Sequence, residues 1–195
     1  MKKPITRFYI YGDNPLEIEA LYTIIHKVTT CPYPLFNVGS PLANKQLSHA
    51  VKIFGGDKYR TKAQGNISLL TRLGDTDFRF NITDTNVIPH AAVRHICNQF
   101  GNIRFLWAHE NPCSGIYSTN DIEKRHFTNR FCLHYGEDDT IYFTTPLQLF
   151  RELEVATGAD EITTIEQARC AITLFNGQSD KQNTIRLCEF QEIEP

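Results

Sequence analysis

The sequence predicts an α+β fold, and three adjoining segments near its centre carry that prediction. Apolar and polar residues alternate from Phe78 to Ile82, which is the period of a strand with one buried face. Apolar residues at spacings of three and four then indicate a helix over Pro89–Phe100. A second alternating segment, Ile103–Trp107, is apolar on both faces, as interior strands usually are. Together these segments predict a strand, a helix and a strand in succession.

The residues before this unit predict another strand, a helix, a long insertion and a hairpin strand. Arg7–Tyr11 forms the first strand, and Asn14-Pro15 begins a helix because Asn caps and Pro fits the first turn. Residues 31–66 are an irregular insertion with one short helix, and Asn66–Leu73 is the second strand. The order β-α-β-β-α-β predicts a ferredoxin-like antiparallel sheet.

The residues after this sheet predict a C-terminal extension of strands and two helices. Thr164 and Gln167 have the spacing of a capping box at the start of the second helix. The predicted domains are therefore 1–120, with the insertion 31–66, and an α+β extension, 121–195, packed on it. The predicted strands of the extension are Ile116–Thr119, Arg125–Tyr135, Ile141–Phe143 and Thr184–Phe190.

The formal charge of −2 argues against whole-molecule attraction to nucleic acid, but the charge is unevenly distributed. Residues 41–66 have five basic residues against one acidic residue, and residues 137–166 have eight acidic residues against one basic residue. This polarity predicts docking on a partner. The predicted partner-binding residues are Lys45, Lys52, Lys58, Arg60, Lys62, Glu137, Asp138, Asp139, Glu152 and Glu154.

The six cysteines form no C-x-x-C pair, and several lie in apolar segments where a thiol behaves as a small hydrophobe. A reduced, cytoplasmic protein is the simplest interpretation. No stretch approaches the roughly 20 apolar residues of a membrane span, so we expect no membrane contact.

Candidate catalytic and metal-binding residues do not form a recognisable pattern. His109, Glu110, Cys113, His126 and His134 are of the types that bind zinc, but their spacing matches no compact ligand motif. His126-Phe127-Thr128 has the H-x-T pattern of two-histidine phosphoesterases, which need two such histidines as acid and base. No second H-x-T occurs in the sequence. We therefore expect no catalytic residue, no metal and no cofactor.

Several local features between Phe8 and Asn120 carry a family resemblance. They are Gly12-Asp13-Asn14-Pro15, the strand ending in Thr83, the helix from Pro89 to Phe100-Gly101, the strand Ile103–Trp107, and Glu110-Asn111-Pro112 followed by Gly115. With these features the region resembles the YubB-type ferredoxin-like family of plasmid and mobile-element proteins. The resemblance implies a fold and a mobile-element origin, without implying an activity.

The charge polarity and the resemblance favour a non-enzymatic protein that binds another protein or a ribonucleoprotein stoichiometrically. An inhibitor of a host defence complex, such as a CRISPR effector, fits this description. The alternative is an RNA or single-stranded nucleic-acid binder that uses the basic residues 45–62, although Phe78 and Phe80 are expected in the core rather than on an RNA-binding face. A phosphodiesterase is the third hypothesis.

Overall fold

The computed structural model describes residues 3–30, 46–136, 139–179 and 184–194. These residues form five helices and nine strands in a mixed α+β fold, which confirms the predicted fold class. The chain divides into two compact units, Lys3–Asn111 and Pro112–Pro195, which we call the N-terminal and C-terminal units. No helix within the described ranges has both the length and the apolar character that crossing a bilayer requires.

The N-terminal unit contains a four-stranded sheet and three helices. Its strands lie in the order β2-β3-β1-β4, and each neighbouring pair is antiparallel. The elements are β1 (Ile5–Gly12), α1 (Pro15–Thr30), α2 (Leu47–Ile53), β2 (Asn66–Arg72), β3 (Asp77–Thr83), α3 (His90–Cys97) and β4 (Ile103–Asn111).

One hydrophobic core joins a single face of this sheet to all three helices. Phe8 on the central strand β1 is fully buried, and its ring stacks on Phe80 with centroids 5.3 Å apart. Leu21 supplies the core from α1, and Leu47 and Val51 supply it from α2. The described part of the insertion is therefore integral to the core, because α2 buries two large apolar side chains there.

The C-terminal unit contains a three-stranded antiparallel sheet in the order β7-β6-β8, a short parallel pair of β5 with β9, and two helices. Both helices pack on one face of the β6 sheet, where Leu133 and Leu149 are fully buried. The elements are β5 (Ile116–Thr119), β6 (Phe131–Tyr135), β7 (Asp139–Phe143), α4 (Pro146–Thr157), α5 (Ile165–Gln178), β8 (Ile185–Glu189) and β9 (Gln191–Glu192).

Local sequence signals set the ends of these two helices. Thr145 caps α4 by accepting a hydrogen bond from the Gln148 N–H, and Gly158 ends it at φ 69° in the left-handed region. Thr164 and Gln167 form the predicted capping box at the start of α5. The sequence prediction of the start of α5 is confirmed.

Two other local predictions are wrong. The strand predicted from Arg125 begins only at Phe131, because the Asp121 carboxylate binds the preceding backbone N–H groups and withholds them from the sheet. The helix predicted over Pro89–Phe100 is also shorter than expected. The helix ends at Cys97, and a short turn closes it with a hydrogen bond from the Phe100 N–H to the Cys97 carbonyl.

Asp121 organises the loop before β6. Its carboxylate accepts backbone hydrogen bonds from Arg125 at 3.0 Å and from His126 and Phe127 at 2.7 Å each. Burial works to raise the pKa of Asp121, but these three N–H groups outweigh it and hold the pKa below its usual range. The ionised carboxylate therefore stabilises the folded loop.

We expect Asp121→Asn to lower the free energy of unfolding of the C-terminal unit by about 1–3 kcal/mol, because hydrogen bonds to a charged acceptor are lost. Since the folded pKa is depressed, this stabilisation is present above the unfolded pKa of about 3.9 and is lost as the pH falls through the folded pKa. The difference from the natural protein should therefore shrink in acid. Urea unfolding followed by far-ultraviolet circular dichroism measures it, with the exposed Asp160→Asn as control. Equal effects of both substitutions would contradict the assignment.

Candidate functional site

The basic residues predicted to bind a partner lie on the surface of the insertion. Residues 46–66 contain four basic residues against one acidic residue, a net charge of +3. Those four basic side chains are exposed, and none of them forms an ion pair with any described residue. They are Lys52, Lys58, Arg60 and Lys62, whereas Lys45 lies outside the described residues.

A turn that starts at Asp57 orients this surface. The Asp57 side chain accepts hydrogen bonds from the backbone N–H groups of Tyr59 at 2.7 Å and Arg60 at 3.3 Å. The Thr61 hydroxyl donates to the Asp57 carbonyl at 2.8 Å, and both Thr61 and Ala63 are buried. Because the buried positions anchor the turn, Tyr59 and the intervening basic residues face solvent.

Gly65 ties this turn to strand β3. It has φ +94°, and a Cβ at this position would lie 2.6 Å from the Thr83 carbonyl oxygen, so no larger residue fits without a shift. The Gly65 carbonyl in turn accepts the backbone N–H of Leu47 at 3.0 Å. The basic turn is thus fixed between the core helix α2 and the sheet.

A cleft of about 430 Å³ opens beside this turn. Tyr59 is 81% exposed at the cleft, and the Lys58 ammonium lies 4.8 Å from the centroid of its ring. The carboxylate of Asp84 is paired with Lys3 at 2.8 Å, and the Lys3 ammonium lowers the pKa of Asp84. The cleft is lined by Gln46, Ser48, Lys58, Tyr59, Lys62, Ala63, Gln64, Gly65, Asn66 and Asp84.

These lining groups match the chemistry of a single nucleic-acid strand. Lys58 and Lys62 provide positive charge for phosphate groups, and the exposed ring of Tyr59 provides a face on which a base can stack. The side-chain amides at the cleft donate and accept hydrogen bonds, as base edges require. Among the described residues that line the cleft, no other side chain combines exposure with a large apolar face. Tyr59 is therefore the side chain of the cleft that is best suited to stack with a base.

The acidic residues predicted to bind a partner are less accessible than the basic ones. The structure describes Asp139, Glu152 and Glu154, whereas Glu137 and Asp138 lie outside the described residues. Asp139 is exposed, but Glu152 accepts a hydrogen bond from the Tyr135 hydroxyl at 3.0 Å, and Glu154 accepts one from the Ile162 N–H at 2.8 Å. Burial and the Glu152 hydrogen bond raise the pKa of Tyr135. Two of these carboxylates therefore stabilise the C-terminal unit itself.

The N-terminal sheet has aromatic residues on both faces. Phe78 and Phe80 are buried in the core, as predicted. On the other face, Tyr9 and Tyr11 of β1 stack with centroids 5.7 Å apart, and they pair across the sheet with Arg79 of β3 and Arg104 of β4 respectively. Both tyrosines are only partly exposed. Tyr59 is therefore the most accessible of these aromatic rings.

The histidine and carboxylate at the end of β4 do not form a common site. His109 and Glu110 are neighbours on the strand and so point to opposite faces. The His109 ring nitrogen Nδ1 lies 2.8 Å from the Thr6 hydroxyl, whereas Glu110 pairs with Arg7. Burial lowers the pKa of His109. His126, the histidine of the H-x-T pattern, lies on the loop organised by Asp121.

The C-terminal unit instead brings together three residues that the sequence analysis did not combine: Cys132, His134 and Cys188. Their ligand atoms all lie within 4.8 Å of one another, and all three residues are buried. The His134 Nε2 atom is 3.7 Å from the Cys132 sulfur and 2.6 Å from the Tyr117 hydroxyl. A hydrogen bond with Cys132 lowers the pKa of Cys188 despite its burial, and the nearby Arg186 acts in the same direction.

Part of this cluster was visible in the sequence. Cys132 and His134 are two residues apart in a predicted strand, so they share one face of it. Cys188 lies in a different predicted strand, and only the register of β6 with β8, in which Cys132 is the partner of Cys188, places it beside them. The complete cluster therefore could not be predicted without knowing that β6 pairs with β8.

Comparisons of the chain with protein-family models, with curated proteins and with solved structures found no match.

Proposed function

We propose that this protein binds single-stranded nucleic acid at the cleft beside Tyr59, and that it acts by stoichiometric binding rather than by catalysis. The observation that carries the proposal is the 81% exposure of Tyr59 at a cleft that Lys58 and Lys62 also line. Exposed aromatic rings in a positively charged groove bind single strands because every base has a face that can stack.

The local charge distribution supports this proposal. The overall charge is −2, so the whole molecule does not attract a polyanion. Residues 46–66, however, have a net charge of +3, and their basic side chains form no ion pair with the described residues. A phosphate that binds there displaces solvent counterions rather than an internal carboxylate.

We also propose that Lys3–Asn111 adopts a ferredoxin-like fold. Its support is the strand order β2-β3-β1-β4 with antiparallel neighbours, which agrees with the split β-α-β arrangement. Membership of the YubB-type family, with an origin on a mobile element and a cytoplasmic location, is part of the same proposal. Its support is the set of sequence features between Phe8 and Asn120.

The experiment is a fluorescence-polarisation titration with a labelled RNA of about 16 nucleotides, the upper end of common binding-site sizes. We expect Tyr59→Ala to weaken binding by about 1–3 kcal/mol, because base stacking is lost. Tyr59→Phe should bind almost normally, since it keeps the ring. Both changes are at an exposed side chain, so stability should change by no more than about 0.5 kcal/mol. Equal affinity of the natural protein and Tyr59→Ala, or preference for duplex over single strand, would contradict the proposal.

A protein or ribonucleoprotein partner is the second candidate, and exposed acidic residues of the C-terminal unit favour it. These carboxylates form no ion pair with any described residue and suit a basic groove made for nucleic acid. They are Asp139, Asp160, Glu161 and Glu166.

This second candidate has its own test, titration of the protein against a nuclease complex that holds a guide RNA. A stoichiometric inhibitor should saturate near one copy per complex and show no turnover. Asp139→Lys should slow its association most at low salt, because electrostatic steering is screened by salt. Inhibition of this kind by a protein that does not bind free RNA would favour the second candidate over the first.

A further inference from the structure

We propose that Cys132, His134 and Cys188 form a binding site for a zinc ion that stabilises the C-terminal unit. Two thiolates and one imidazole are a ligand set that favours zinc among the common metal ions. None of these three residues lines the cleft at Tyr59, so the test of one proposal does not decide the other.

Backbone pairing, rather than chance proximity, brings the three ligands together. Cys132 and His134 are two residues apart on β6 and therefore share a face of the sheet. The register of β6 with β8 places Cys188 directly opposite Cys132. The helices cover the other face, where Leu133 is buried, so the cluster lies on the face away from them. The ligands thus sit on the central strand and its neighbour.

The distances agree with a tetrahedral metal site. Zinc–sulfur bonds of about 2.3 Å and zinc–nitrogen bonds of about 2.0–2.1 Å separate neighbouring ligand atoms by roughly 3.5–3.8 Å in a tetrahedron. The Cys132 sulfur and His134 Nε2 are 3.7 Å apart, and all three ligand atoms lie within 4.8 Å of one another. A bound metal would draw the remaining ligand atoms, which are at most 4.8 Å apart, to this spacing.

A second hydrogen bond orients the histidine for this role. The Thr140 hydroxyl lies 2.8 Å from Nδ1 of His134, and the strand register places Thr140 directly opposite His134. When Nδ1–H donates to that hydroxyl, Nε2 carries the free lone pair that a metal-binding histidine needs. The Tyr117 hydroxyl lies 2.6 Å from Nε2, which is a hydrogen-bond distance rather than the spacing of two zinc ligands.

The burial of the cluster assigns a structural rather than a catalytic role to the metal. Cys132 is fully buried, and Cys188 and His134 are 7% and 6% exposed. Structural zinc sites are closed in this way, whereas catalytic sites keep a position open to solvent or substrate. Because the three ligands lie on β6 and β8, a metal here would link these two strands of the C-terminal unit. Metal binding would then contribute directly to its folding free energy.

The first measurement is metal content and thermal stability of the full chain, purified anaerobically and dialysed against zinc and then against metal-free buffer. We expect one zinc per chain, a higher melting temperature with zinc, and a lower one after treatment with a chelator. Cobalt substituted for zinc should give a thiolate-to-cobalt charge-transfer absorption. Protein that retains no stoichiometric zinc, or a Cys132–Cys188 disulfide in the anaerobic protein, would overturn the proposal.

The second measurement compares cysteine variants. Cys188→Ser should lose the zinc and the charge-transfer band, whereas Cys170→Ser, at an exposed position on α5, should keep both. If Cys188→Ser does not fold, His134→Gln takes its place, and the cobalt spectrum of the natural chain gives the independent readout. Full zinc occupancy in folded Cys188→Ser or His134→Gln would place the metal elsewhere and overturn the proposal.

Discussion

Leu21→Ala should lower the free energy of unfolding of the N-terminal unit by about 2–5 kcal/mol, the range measured for buried leucine truncations. Leu21 is fully buried on α1 and belongs to the core that joins the helices to the sheet. The substitution removes its transfer free energy and leaves a cavity in a close-packed interior. Trp107, the single tryptophan of the chain, is 4% exposed on β4 and reports unfolding of this unit by fluorescence in urea.

The matched control is Leu16→Ala on the same helix. Leu16 is 80% exposed, so the same chemical change there should alter stability by no more than about 0.5 kcal/mol. Any gain in helix propensity would be similar at both positions, since both exchange Leu for Ala, the strongest helix former. Equal destabilisation by the two substitutions would show that α1 does not pack through the face that carries Leu21.

The double substitution Lys58→Glu and Lys62→Glu should weaken RNA binding roughly tenfold or more at low salt, because each change replaces an attraction to phosphate by a repulsion. The slope of log affinity against log salt should also decrease by about 0.7 for each phosphate that the protein no longer neutralises. Polarisation titrations at several salt concentrations measure both quantities. Both lysines are exposed, so the fold should be retained.

The control for this prediction makes the same charge change elsewhere. Lys124→Glu with Arg151→Glu also alters the net charge by four, at two exposed positions of the C-terminal unit. If the cleft binds the strand, this control should lose much less affinity than the Lys58 and Lys62 variant. Equal losses would mean that overall charge, rather than the cleft, controls the affinity.

The strands and helices were largely predictable because their signals are local. The alternation around Phe78 and Phe80, the helix spacing after Pro89 and the capping box at Thr164 each depend on a few neighbouring residues. The larger error occurred where a side chain competes for backbone hydrogen bonds. Asp121 takes the N–H groups of residues 125–127, and the predicted strand there starts six residues late.

The sequence also predicted where charged residues cluster, but it did not predict which of them are exposed and unpaired. The basic residues at 52–62 were identified by counting, and the structure leaves them exposed. Two of the acidic residues, Glu152 and Glu154, are used in hydrogen bonds inside the C-terminal unit. The exposure of a charged side chain and its internal hydrogen bonds depend on neighbours that are distant in sequence. Composition therefore cannot predict either property.

By itself the sequence determined the fold class, most of the elements and the uneven charge, since periodicity, capping and composition are properties of short segments. The tertiary structure alone decided which chemical groups meet. Tyr59 became the centre of a cleft because the Asp57 turn is anchored by buried residues and held against β3 at Gly65. Cys188 lies beside Cys132 and His134 because β6 pairs with β8. This pairing places residues that are more than fifty positions apart in the sequence next to each other.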